Sequence, residues 1–436
     1  MALIEYSDLT QRDVGFDAGT ASSPVRTGHS DGRPRPAMAG QSSTIAVVHD
    51  WCPSFRGGER VLAELCRMFD KPDVFTLFDF LTPDIKDEYF RDVHFTTSLA
   101  NRIPGVERFY RALFFACPFL VEQFDVTGYD AVISSSAAFS RGVLTRPDQP
   151  HLCYVHSPVR YAWDEQFSYL SQGNLGYGPK GLAFRYLLHR LRQWDSRTAH
   201  GPDLMLANSS FVRRRIRRIY GRDAIVVHPP VVVDEPGLGS DKLGAEKDDY
   251  YVTASFLAPY KRTDLVIQSF NAMPQHRLVV VGEGQQSAGL RKLAGPNVRF
   301  TGYLERADYV RTIARAKARV FAGCEDFGIA LAEAQAWGTP LIALGRGGAT
   351  DIVKPLGGRE QPTGILFARQ TLAHIVDAVE LFETRRHQFS SAVCHENALR
   401  FSPERFEREI RNAFDQAVAL NRAGDGPGHD RLDIAA

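Results

Sequence analysis

Two series of short apolar runs, each followed by a stretch of helical periodicity, constrain this chain more than any other feature. The first series, from Thr44, gives TIAVVHD, DVFTLF, DAVISS, HLCYVH and DLMLANS. The second, from Tyr250, gives YYVTASFL, RLVVVGEG, VRFTGY, ARVFAG, PLIALG and TGILF. Runs this short without polar alternation read as strands buried on both faces, which calls for parallel sheets covered by helices. The intervening segments supply such helices: ERVLAELCRMF, for example, puts Val61, Leu62, Leu65 and Phe69 on one face. The fold class is therefore α/β, with two doubly wound parallel-sheet domains, and 436 residues exceed the size at which a single core stops growing.

The boundaries follow from composition. Residues 1–43 and 422–436 are rich in Gly, Ser, Pro and Arg without periodicity and are expected to be disordered tails. Residues 44–232 form the first domain, 233–249 a Pro-, Gly- and charge-rich hinge, and 250–400 the second domain. Residues 401–421 form an amphipathic helix with Phe406, Ile410, Phe414 and Val418 at helical spacing and Ser402 as a cap. Ligands of such sheets bind beyond the carboxyl ends of the strands, so the cleft between the domains is the place to look for function.

Charge and cysteine usage exclude several classes. A net charge of +1, with no zinc-finger spacing and no aromatic RNA-binding signature, excludes nucleic acid as the expected partner. The six cysteines are scattered without a C-x-x-C pair, which fits reduced packing thiols. The amino terminus lacks the basic start and apolar core of a signal peptide, and no apolar stretch reaches about eighteen residues. A cytoplasmic location is expected, extending to the inner face of the plasma membrane.

One segment carries chemistry: EDFGIALAEAQAWGTPLIALGRGG, Glu325 to Gly348. A strand ends near Ala322, Glu325 and Asp326 occupy the turn, and Gly328 opens an alanine-rich helix ending at Trp337 and Gly338. The backbone N–H groups of Gly328, Ile329 and Ala330 point beyond the strand, where a helix start suits a phosphate. Glu333 lies further along that helix and reaches sideways to hydroxyls. Alone, Glu325 also fits a residue favouring a helix start and Glu333 a solvated face.

With the segments below, this pair resembles the retaining family-4 glycosyltransferases of GT-B fold over roughly residues 44 to 421, and the EDFGI form resembles bacterial polysaccharide mannosyltransferases. The resemblance implies two Rossmann-like domains facing a cleft, with the last helix crossing back to the first domain. It places Glu333 on the ribose hydroxyls of a nucleotide sugar and Glu325 beside the transferred sugar, with Phe327, Gly328, Ile329 and Ala330 on the donor. SFLAPYKRTDLVIQSF resembles the donor-diphosphate element, in which an arginine and a lysine five residues apart clamp the phosphates. Lys261 matches the lysine, but Phe256 stands at the arginine position, which passes that role to Arg262 or another nearby cation. In FRGGER, Gly57 and Gly58 resemble the glycines near the diphosphate and acceptor. In CYVHSPVRYAWD, His156 resembles the histidine at the transferred sugar. Asp50 is read as orienting an acceptor hydroxyl or forming a turn, and Arg160 as binding an anionic group or pairing with Asp164.

The implied function is a hexosyltransferase moving a hexose, mannose favoured, from a nucleotide diphosphate sugar to a hydroxyl of a glycan or lipid-linked acceptor in cell-surface polysaccharide synthesis. No D-x-D sequence is present, so no metal and no cofactor are expected. The alternatives are a UDP-hexose-dependent transferase, a catalytically weakened homologue acting as a partner or regulatory protein, and a hydrolysing epimerase. Lys180 to Arg222 carries eleven Lys and Arg against two Asp, a local net charge of +9. This run is read as a solvated helix face or as a contact with an anionic membrane. The aromatic stretch RFYRALFFACPFLVEQF is read as core or as a lipid contact.

Overall fold

The computed structural model describes residues 44–173, 175–233 and 247–424. The expected tail 1–43, hinge residues 234–246 and residues 425–436 of the second tail lie outside the described residues. The first sheet contains β1 (Ile45–His49), β2 (Asp73–Thr76), β3 (Phe95–Thr97), β4 (Ala131–Ser136), β5 (His151–Val155), β6 (Leu204–Ala207) and β7 (Ile225–Val226). Its order is β3-β2-β1-β4-β5-β6-β7, all parallel. The second contains β8 (Tyr251–Ala254), β9 (Leu278–Val281), β10 (Val298–Gly302), β11 (Arg319–Phe321), β12 (Leu341–Leu344) and β13 (Gly364–Phe367), in the parallel order β10-β9-β8-β11-β12-β13. The sequence pattern misses β3 and β7, edge strands of three and two residues that are too short to show a period.

Every residue of β1 is buried, and the strand's alternation explains why. Ile45 and Val47 enter the core on one face of the sheet, while Ala46 and Val48 enter the core on the other. The second sheet repeats the device: Val252 and Ala254 of β8 join one core and Tyr251 the other. Each fully buried valine or leucine side chain contributes about 1.5–3 kcal/mol, so both faces resist polar substitution. RFYRALFFACPFLVEQF resolves as mostly core: Tyr110, Cys117, Val121 and Phe124 are buried, and Phe119 projects outward.

The last helix, Pro403–Gly424, packs on the first sheet's domain, where Phe406, Ile410, Ala413 and Ala417 join the cluster containing Val47 and Leu152. It runs three residues into the expected tail. Asn421 anchors that end, its side-chain amide donating to Pro147 O at 2.9 Å.

Chain order reverses between β1 and β4 in the first sheet and between β8 and β11 in the second. Such switch points open a crevice at the strands' carboxyl ends, and the segments singled out from the sequence leave these strands or their neighbours there. Contacts between the two domains fix the width of the crevice. Arg215, buried on the helix Ser210–Tyr220, donates to Asp164 at 2.6 Å and to Asp326 at 3.2 Å across it. Asp351 accepts from the Ser210 backbone at 2.6 Å and lies 3.2 Å from His228.

Candidate active site

The wall of the second domain is built at the end of β11. Gly328 caps the helix Ile329–Ala336 with φ +95°, a left-handed conformation that strains any residue bearing a Cβ. A Cβ on Gly348 would lie 2.1 Å from Phe327 O, so glycine is required there for the loop after β12 to close on this turn. The first helical N–H with a partner inside the turn is that of Leu331, donating to Gly328 O at 2.8 Å. The N–H groups of Gly328, Ile329 and Ala330 precede it at the helix start, and Arg319 braces this turn, donating to Ala330 O and Ala254 O at 2.5 Å each.

Lys261 ends a short helical turn and places its ammonium on Glu325. Burial pushes the Glu325 carboxyl up, but Lys261, then Arg160 and Arg319, outweigh burial and leave it below its usual range. The group is therefore an anion at neutral pH. Glu333 is 4% exposed, and two arginines hold the same oxygen: Arg60 from the opposite domain donates to Oε1 at 2.8 Å and Arg306 at 3.3 Å. Both bonds end on Oε1, which leaves the Oε2 side for another donor.

The opposite wall comes from β1, β4 and β5. The helix Gly57–Met68 starts against the second domain, where a Cβ on Gly57 would lie 3.0 Å from Ile329 Cδ1. Gly58 lies over the His49 ring, with an added Cβ 3.7 Å from its Cε1. His156 follows β5, and its Nε2 is 2.8 Å from Ser135 Oγ, which is in turn 3.1 Å from His49 Nδ1. Burial, and then the neighbouring His49, lower the His156 pKa to about 3. The imidazole is therefore neutral across physiological pH.

Two pH effects follow. A rate profile should show no His156 limb near pH 6.5 and should stay flat on that account to about pH 4. An inflection near 6.5 that disappears in His156→Asn would contradict this. For folding, His156 and His151 both have native pKa values of about 3 against 6.5 unfolded. Their contribution is complete above pH 6.5 and declines as pH falls, by at most about 1.4 kcal/mol per pH unit each. Glu59, raised by burial to about 7, acts in the opposite sense between 4.5 and 7. Unfolding midpoints should therefore rise with pH through 4.5–6.5, two histidines outweighing one carboxyl.

Glu325, Glu333, Lys261, Gly328, Ile329 and Ala330 gather on one wall and Gly57, Gly58 and His156 on the other. Four sequence expectations change. Asp50 is 2% exposed and accepts four backbone N–H groups, from Ala137 and Ala138 at 2.5 and 2.7 Å and from Phe139 and Ser140 at 2.7 and 2.6 Å. These bonds fill the acceptor capacity of a carboxylate, so Asp50 holds a loop and does not orient an acceptor. Phe327 is core: its ring packs 5.4 Å from His228 and 5.3 Å from Phe401. Arg262, at φ +54°, turns onto Asp264 at 3.1 and 3.2 Å rather than toward the donor wall. Arg160 is matched by Asp326 at 3.4 Å and Glu165 at 3.6 Å, so it joins the walls, while Asp164 pairs with Arg215.

Arg60, Arg306, Arg319, His49 and Ser135 were not foreseen. Arg60 sits inside FRGGER and was legible as a conspicuous cation after two glycines. The other four carried no local signal.

Comparison with known proteins places this geometry. Residues 55–235 match the model of Glycosyltransferase Family 4, and residues 240–399 match that of Glycosyl transferases group 1. A GDP-mannose-dependent monoacylated alpha-(1-6)-phosphatidylinositol monomannoside mannosyltransferase of Corynebacterium glutamicum is 35% identical over 182 residues, 36% of this chain and 48% of that protein. A D-inositol 3-phosphate glycosyltransferase of Mycobacterium leprae is 30% identical over 200 residues, 41% of this chain and 45% of the relative. The chain thus spans about half the length of the curated relatives it matches. Among solved structures, Anabaena Alr3699/HepE in complex with UDP superposes with TM-score 0.61 at 16% identity, covering 86% of this chain and all of that one. Sucrose-phosphate synthase from Thermosynechococcus elongatus gives 0.64 at 17%, covering 86% and 99%. At that identity the likeness concerns the fold, which is GT-B. Its two halves matched by the paired family models, the chain belongs to the family-4 glycosyltransferases of GT-B fold, among relatives that include bacterial mannosyltransferases.

Proposed function

We propose that the protein is a retaining, metal-independent hexosyltransferase that moves mannose from GDP-mannose to a hydroxyl of a lipid-linked or glycan acceptor in cell-surface polysaccharide synthesis. The observation that carries this reading is the pairing, across one crevice, of the anionic Glu325 and the arginine-held Glu333 beside a helix start with the neutral His156 opposite. Glu333 Oε2 accepts ribose hydroxyls. Lys261 and the helix start at Gly328 take up the charge that grows on the leaving diphosphate. Glu325 orients the sugar, and a neutral imidazole at His156 tolerates positive charge at the anomeric carbon. Front-face attack, with the leaving phosphate accepting the hydroxyl proton, preserves anomeric configuration.

Nucleotide release from GDP-mannose and from UDP-hexoses, measured with EDTA present and with or without a membrane lipid extract, tests the proposal. Release of GDP that requires the extract is the expected result. UDP-hexose dependence is the second reading, motivated by the structures of Anabaena Alr3699/HepE in complex with UDP and with UDP-glucose. Tight nucleotide binding without turnover would favour a weakened homologue, which Phe256 motivates.

A lipid-linked acceptor is supported by one surface. Among the described residues no helix is long and apolar enough to cross a membrane. The helix Pro179–Thr198 nevertheless exposes Leu182, Tyr186 and Leu187, next to exposed Tyr177 and among Lys180 and Arg190. The basic run contributes less free charge than its count suggests, because Arg213 pairs with Asp223, Arg215 is buried and Arg222 caps backbone carbonyls. We expect flotation with anionic vesicles at low salt, reduced severalfold in Leu182→Glu/Tyr186→Glu. Equal flotation of both proteins would remove this surface from the account.

A further inference from the structure

Phe256 removes an expected cation from the strand end next to Glu325, and the structure places another over the same spot. The Arg56 guanidinium carbon lies 5.8 Å from the centroid of the Phe256 ring, across the crevice from its own domain. That separation is within cation–π range. Arg56 is the residue before Gly57, and its backbone N–H donates to Glu59 at 3.0 Å, which fixes it at the helix cap. Gly57 itself abuts Ile329 at the start of the second-domain helix. Arg56 therefore stands at the phosphate end of the crevice.

The cations described above on the two walls are committed. Arg60 and Arg306 hold Glu333, Lys261 holds Glu325, Arg262 holds Asp264, and Arg160 faces Asp326. Arg56 is exposed and, among the described residues, forms no salt bridge. An aromatic face at position 256 attracts the arginine of the opposite domain, whereas an arginine there would repel it. The two positions thus exchange the charge.

We propose that Arg56 is a donor-diphosphate ligand, supplying from the first domain the positive charge that Phe256 removes from the second. This rests on the nucleotide-sugar reading above and adds the residue that completes the phosphate clamp. Because the ligand sits on the wall opposite Lys261, the diphosphate is held between both domains.

Titration calorimetry of the full chain with GDP, UDP and GMP separates the two claims. Arg56→Ala should weaken the better nucleoside diphosphate about tenfold to a hundredfold while GMP changes little, since only the second phosphate loses a partner. Phe256→Arg added to Arg56→Ala should restore most of the loss, and Arg56→Lys should lose less than Arg56→Ala. A wild type that binds neither GDP nor UDP overturns both the donor reading and this assignment. A wild type that binds one of them, with Arg56→Ala binding it equally or losing GMP in parallel, overturns the Arg56 assignment alone.

Discussion

Lys261→Met should lower kcat by about 10² to 10³ while changing donor KM far less. The ammonium sits on Glu325 with 16% of its side chain exposed, beside the helix start that opens at Gly328. In the ground state its charge is shared with Glu325. As the bond to the leaving diphosphate breaks, charge grows on the phosphate oxygens and Lys261 can follow it, so its contribution is larger in the transition state than in the bound donor. Glu325 retains Arg160 and Arg319 as nearby positive charges, which supports the fold of the variant. Steady-state kinetics with a saturating acceptor separate the two constants. A large rise in KM at unchanged kcat would mean that Lys261 only binds the donor.

Asp50→Ala should be a folding defect rather than a selective loss of acceptor binding. Four backbone N–H groups of the turn after β4 lose their acceptor together in a buried position. Hydrogen bonds to a charged group contribute about 1.5–3 kcal/mol and are not additive, so a loss of about 3 kcal/mol or more is expected. For domains of this size that lowers the unfolding midpoint by roughly 6–12 °C. The same turn follows Ser135, which links His49 to His156, so residual activity should fall as well. Unchanged thermal unfolding with a raised acceptor KM would return Asp50 to the role expected from sequence.

The contrast between Asp50 and Glu325 shows what a linear chain reveals. Glu325 was legible because the pattern around it is local, a strand, a carboxylate, a glycine with positive φ and a short helix within a few residues, although its partner Lys261 lies 64 positions away. Asp50 also ends a strand, but its partners lie almost ninety residues away, and no local period announces them. Arg60 and Glu333 are separated by 273 positions, so their pairing depends on the folded crevice. Phe327 looked like a donor contact because of its neighbours, whereas its ring completes a core with His228 and Phe401. The paired sheets were legible for the converse reason, since a strand buried on both faces writes its environment directly into a run of apolar residues. Edge strands β3 and β7 are too brief to do so.

Calorimetric titration of GDP-mannose and UDP-glucose into the wild type and into Glu333→Ala tests the central claim most directly. Arg60 and Arg306 remain partly exposed after the substitution and can be solvated, so the fold should persist. The account predicts that the wild type binds one of the two sugar nucleotides and that Glu333→Ala binds it about tenfold to a hundredfold more weakly, the loss of a charged acceptor to the ribose. Equal affinity in the two proteins, or no binding by a folded wild type, would contradict it.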